Sequence, residues 1–96
     1  MRPDEFLPIG SVVRLNNAKR NVVIIGYTVA IDGDVKVWDY MGCAYPVGVI
    51  ASDANLLFNR SDIERVIFLG YSDTEDKNFR KQLEENMKRL KNNGVN

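Results

Sequence analysis

A chain of 96 residues with 45% apolar and 27% charged side chains has material for one modest core, burying roughly 65% of its unfolded surface, and no compositional mark of disorder. Lys and Arg number 13, as do Asp and Glu, so the domain-wide positive field of a nucleic-acid binder is absent. With no histidine and a single cysteine, histidine acid–base catalysis, Cys/His zinc sites and an intrachain disulfide are excluded. No apolar run approaches the ~20 residues of a membrane span, and no long apolar segment of a secretory signal follows Met1-Arg2-Pro3-Asp4-Glu5-Phe6. The expectation is a reduced, cytoplasmic protein without cofactor or metal.

Residues 1–6 are polar apart from Phe6 and read as a flexible N-terminus. Leu7-Pro8-Ile9-Gly10 leads into Ser11-Val12-Val13-Arg14-Leu15, a half-buried strand. Asn16-Asn17-Ala18-Lys19-Arg20 reads as a turn, because asparagine tolerates the left-handed conformation. Val22-Val23-Ile24-Ile25-Gly26-Tyr27-Thr28-Val29 scarcely alternates, which predicts a central strand buried on both faces, with a bulge or bend at Gly26. Asp32-Gly33 signals a hairpin into Val35–Met41. In that run Val35, Val37, Asp39 and Met41 share one face, and Lys36, Trp38 and Tyr40 the other.

Gly42, Pro46 and Gly48 punctuate a stretch of short strands and turns as far as Asn55. Leu56-Leu57-Phe58 is a small apolar anchor, Asn59-Arg60-Ser61-Asp62 caps a single helical turn, and Arg65–Tyr71 returns as a strand. From Ser72 the period changes. Ser72 and Glu75 have the spacing of a capping box. Phe79, Leu83, Met87 and Leu90 form one narrow stripe on a helix over 72–93. Asp73–Lys77, Asp76–Arg80, Glu84–Lys88 and Glu85–Arg89 are supporting i,i+4 pairs, and Gly94 suits the C′ position with Val95 closing on Leu90. The expected organisation is a flexible 1–6, a small β domain over 7–71, the helix 72–93 and a tail 94–96. The expected fold class is α+β: a strongly bent antiparallel sheet of about five strands, with a small SH3-like barrel as its closed variant, followed by a C-terminal amphipathic helix.

The chemical signals are sparse. Asp32, Asp34 and Asp39 lie close in sequence but lack the ligand spacing of a calcium loop, and read as a polar hairpin tip. Cys43 has no histidine to activate it and apolar or small neighbours, which suits a small buried hydrophobe. No glycine pattern forms a phosphate-binding loop. No catalytic, cofactor-binding or metal-binding residue is expected. The candidates that remain are for protein contact: Trp38, Tyr40 and Tyr45 as aromatic anchors, and Met87 and Leu90 at the far end of the stripe. On this reading Phe79 packs on the sheet, while Met87 and Leu90 are free for a partner or for self-association through the helix.

The segments LPIGSVVRL, VVIIGY, WDYMGCAYPVGV and LLFNRSDIERVIFLGY resemble, in that order, the small Gram-positive family known as domain of unknown function 4176. The resemblance covers about residues 7–71. Asn-Asn-Ala-Lys stands at the first turn where relatives often carry glycines, and Val47 where an acidic residue is common. Members tend to be encoded near type VII secretion genes and their LXG-type toxins. The resemblance therefore implies a non-enzymatic accessory role, as chaperone, targeting factor or adaptor of an exported toxin. An immunity protein that neutralises a cognate toxin is the alternative. The expected partner is a protein, the toxin encoded nearby, with no nucleic acid and no membrane insertion. The resemblance identifies no catalytic residue, and most of its motif positions are better explained by folding.

Overall fold

The structure is a computed structural model that describes residues 5–27, 38–51 and 55–92, with side chains as far as 87. Its strands are β1 (Val12–Leu15), β2 (Asn21–Tyr27), β3 (Tyr40–Ala44), β4 (Leu56–Phe58) and β5 (Ile63–Phe68), followed by the helix α1 (Thr74–Asn92). They form one antiparallel sheet in the order β4-β3-β2-β1-β5. The α+β class, the five strands and the C-terminal helix are as the sequence predicts. Among the described residues the sheet is open, however, and not a closed SH3-like barrel: β4 and β5 end as opposite edges.

β2 lies at the centre, flanked by β1 and β3. Only one of its faces is fully buried: Val22 and Ile24 are enclosed, while Val23 and Ile25 on the other face are half-buried. The unbroken β-branched run thus reflects strand propensity as well as burial. The bulge expected at Gly26 is present, as a slip in the β2–β3 register between Ile24 and Gly26. Asn17 turns the β1–β2 corner with φ of 63°. The Asp32-Gly33 hairpin, with Val35–Val37, lies outside the described residues. Trp38 and Asp39 precede β3 rather than belonging to it.

The core sits between the sheet and α1. It gathers Phe6, Leu7, Val13, Val22, Ile24, Tyr40, Phe58 and Ile63 with Leu83 and Met87 of the helix. Gly42 is needed here by close approach: a Cβ would stand 2.7 Å from Val22 Cγ1 and 2.8 Å from the Val23 carbonyl. Phe6, assigned from sequence to the flexible 1–6 segment, is 1% exposed. A bulky aromatic side chain has more apolar surface to remove from water than a terminal position has freedom to keep.

The helix starts one residue later than its sequence capping box suggests. Asp73, not Ser72, is the cap: its Oδ1 accepts the Asp76 N–H at 2.9 Å and its carbonyl accepts the Lys77 N–H at 2.9 Å. Ser72 instead donates to Asp76 Oδ2 at 2.7 Å, and Asp76 also holds Arg80, an expected i,i+4 pair, at 2.9 Å. The stripe is used in the reverse sense to the expected one. Leu83 and Met87 are buried, whereas Phe79 is 51% exposed and keeps a ring contact with Tyr27 of the sheet. The Leu90 side chain, Gly94 and Val95 are outside the described residues.

Candidate protein-binding surface

The residues singled out from sequence separate into buried and exposed sets. Tyr40 is fully buried and belongs to the core. Its ring lies 5.4 Å from Phe58 and 5.6 Å from Phe6, and its hydroxyl accepts the Leu7 N–H at 2.8 Å. Burial pushes its pKa up to about 12. Tyr27 is raised as well, chiefly by burial and then by the charge of Asp76. Met87 is 9% exposed and packed in the core, so it offers no free surface. Trp38 is half-buried and engaged with its surroundings. Of the five candidates, Tyr45 alone is described as exposed, at 53%. Cys43 is buried.

Asp39 is not a polar hairpin tip. It is 6% exposed, and its Oδ2 accepts the Arg60 N–H at 2.7 Å and faces the Arg60 guanidinium at 3.5 Å. The Asp39 N–H donates to Asn59 Oδ1 at 3.0 Å, and the Asn59 N–H donates to Asp62 Oδ2 at 2.9 Å. These bonds shape the expected single turn, a 3-10 turn over Arg60–Asp62. Arg60 also bridges to Glu84 of α1 at 3.2 Å and lies 4.7 Å above the Phe6 ring. Burial alone would lower the Arg60 pKa, but hydrogen bonds to Glu84 and the charge of Asp39 raise it. Asp39-Tyr40, Asn59 and Asp62, which the sequence places in separate motifs, thus form one structural joint. Among the described residues no group of three His, Cys, Asp or Glu could hold a metal. Asp32 and Asp34 lie outside them.

The free apolar surface gathers at the two sheet edges. On the β4 side, the turn after β3 presents Tyr45, Val47, Val49 and Ile50, beside Leu56 and Leu57 of β4 itself. Gly48 closes this turn with φ of 78°, its N–H donating to the Ala44 carbonyl at 2.8 Å. On the other side, β5 and the chain after it expose Ile67, Phe68, Leu69 and Tyr71, with Ile9 nearby. Phe68 is 61% exposed and Tyr71 79%. The sheet order separates the edges by four strand spacings, roughly 19 Å. This second patch escapes sequence reading because Val66-Ile67-Phe68-Leu69 looks the same whether a strand is central or at an edge.

Residues 6–79 match the family model described as Domain of unknown function (DUF4176). The chain belongs to this family. The matched span includes Phe6 and runs through the first turns of α1 to Phe79. In this chain the matched span comprises the sheet, the buried segment before it and the start of the helix. No curated protein and no solved structure matched the chain. No helix among the described residues is long and apolar enough to cross a membrane.

Proposed function

We propose that this DUF4176 protein is a non-enzymatic cytoplasmic accessory factor of a type VII secretion toxin locus, acting as chaperone, targeting factor or adaptor by binding the toxin encoded beside it. The observation that carries the binding role is the β5 edge. A six-residue edge strand, Ile63–Phe68, runs into Leu69 and Tyr71 with large apolar side chains in solvent. Edge strands of soluble proteins are usually shortened, charged or covered. This one carries Glu64 and Arg65 in its first half and apolar residues in its second. An extended segment of a partner would add to the sheet through main-chain hydrogen bonds, with Phe68 and Tyr71 supplying side-chain contact. The toxin-locus assignment rests on the family resemblance.

The test is co-purification with the neighbouring toxin, whole and as separate N-terminal and C-terminal parts. The expected result is capture of the whole toxin by the unaltered protein and loss of capture by Phe68→Glu/Tyr71→Ser, with melting unchanged. Capture that survives the double substitution removes the β5 edge from the interface. Capture of the C-terminal part with loss of its toxicity would establish the immunity role instead.

A further inference from the structure

Residues 5–8 cross the mouth of the cleft between α1 and the sheet without joining any strand. Their main chain is held by side chains. The Phe6 N–H donates to Glu84 Oε2 at 2.8 Å, and Arg80 donates to the Phe6 carbonyl at 2.8 Å. The Leu7 N–H donates to the Tyr40 hydroxyl at 2.8 Å, and the Tyr27 hydroxyl donates to the Leu7 carbonyl at 2.5 Å. The Phe6 ring meets Tyr27 edge-on at 5.5 Å and lies under Arg60, while the Leu7 side chain is 2% exposed. Such an arrangement reads an extended segment as a peptide site does: polar side chains take the backbone, and pockets take the side chains. The segment does not fill its surroundings. Cavities of about 730 Å³ and 170 Å³ border it, the larger lined by Lys77, Lys81, Glu84 and Glu85.

We infer that this cleft is a binding site for an extended Phe-Leu-Pro segment, filled in cis by Phe6-Leu7-Pro8 and able to take the same segment from a second copy of the chain. Every contact just named would be identical in an arm-exchanged dimer, so the difference between monomer and dimer lies in the hinge and in concentration. The hinge is Pro8-Ile9-Gly10, where Gly10 has φ of 92° and the Ser11 N–H bonds the Pro8 carbonyl at 3.1 Å. Opening the hinge breaks that bond and strains the one beside it, from the Gly10 N–H to the Ile24 carbonyl of β2 at 2.8 Å, while the β1–β2 register from Val12 onward is kept. The hinge also abuts the β5 edge: a Cβ on Gly70 would come within 2.2 Å of the Ile9 carbonyl. Exchange would therefore bring the two copies together where Ile9, Leu69 and Tyr71 are exposed, and cover them. The inference stands on the cleft and does not depend on the toxin reading.

Two measurements test it. In the first, a labelled synthetic peptide of residues 1–10 is titrated into the full-length Phe6→Ala/Leu7→Ala protein and into the unaltered protein. The tethered arm competes at an effective concentration on the order of millimolar. The expected result is saturable binding at least ~10-fold tighter to the variant than to the unaltered chain, and none by a peptide carrying the same two substitutions. Equal binding to both proteins, or no binding to a folded variant, overturns the proposal. The second uses the unaltered chain, refolded from near its melting point over a concentration series. A dimer fraction that rises with concentration is expected, with interchain contacts between the Phe6 and Tyr40 rings in a mixture of isotope-labelled and unlabelled protein. A species that stays monomeric throughout, or a dimer whose Phe6–Tyr40 contacts are all within one chain, overturns it.

Discussion

The face of the sheet toward α1 and its β5 edge meet very different fates. Toward α1, the sheet carries Val13, Val22, Ile24 and Tyr40, and these are enclosed by Phe6, Leu83 and Met87. At the β5 edge, Ile67, Phe68, Leu69 and Tyr71 are just as apolar and stay in solvent. Composition does not separate them. The difference is whether another element of the same chain lies opposite. On the function proposed above, the uncovered apolar side chains are the surface offered to a partner, so the first region should govern stability and the second association.

The largest effect should come from breaking the covered side. Leu83→Glu would bury an unpaired charge beneath the helix and is expected to abolish cooperative melting. Ile24→Ala is expected to cost about 2–5 kcal/mol, whereas Ile25→Ala, half-buried on the other face, should cost clearly less. Thermal melts of the pair check this. If both variants melt within a degree of the parent, β2 is misplaced. Next comes Gly42→Ala, where the added Cβ meets Val22 and the Val23 carbonyl. Overpacking of this kind costs about 1–3 kcal/mol, roughly 4–8 °C per kcal/mol in a domain of this size.

Alkaline titration sharpens the same side. Tyr40 is an acid whose pKa rises on folding from 10.0 to about 12. Its contribution is therefore complete below pH 10 and is lost as pH rises toward 12. Tyr27 shifts in the same direction. The expected outcome is a fall in melting temperature that steepens above pH 10. Tyr40→Phe should remove part of that slope and cost about 1–3 kcal/mol at neutral pH, because the Leu7 N–H loses its acceptor. A slope unchanged in the variant would remove Tyr40 from the titration.

The smallest effect on stability, and the largest on binding, belongs to the open edge. Phe68→Ser and Tyr71→Ser should each change stability by less than about 0.5 kcal/mol and weaken capture of the partner. A matching change at Tyr45 or Val47, on the opposite edge, serves as the comparison. Loss of capture there and not at β5 would move the interface to the β3–β4 turn.

The element types were legible in the sequence because they rest on local physics. β-branched runs, a helix-period stripe with charged flanks, Asn17 in a turn and the Asn59–Asp62 cap each constrain their own few residues. The family was legible too, since its motifs are mostly joints: Asp39, Asn59 and Asp62 hydrogen-bond one turn together. What the local pattern leaves undecided is which apolar residues find a cover. Tyr40 went inside because its hydroxyl reaches the Leu7 N–H, and Tyr45 stayed outside on a turn. Met87 was enclosed and Phe79 left half in solvent, although both stand on one helical stripe. Phe6 became core, and among the described residues the sheet stayed open with β5 at its edge, by contacts between residues far apart in the chain. Burial is a property of what packs opposite, and only the assembled tertiary structure supplies that.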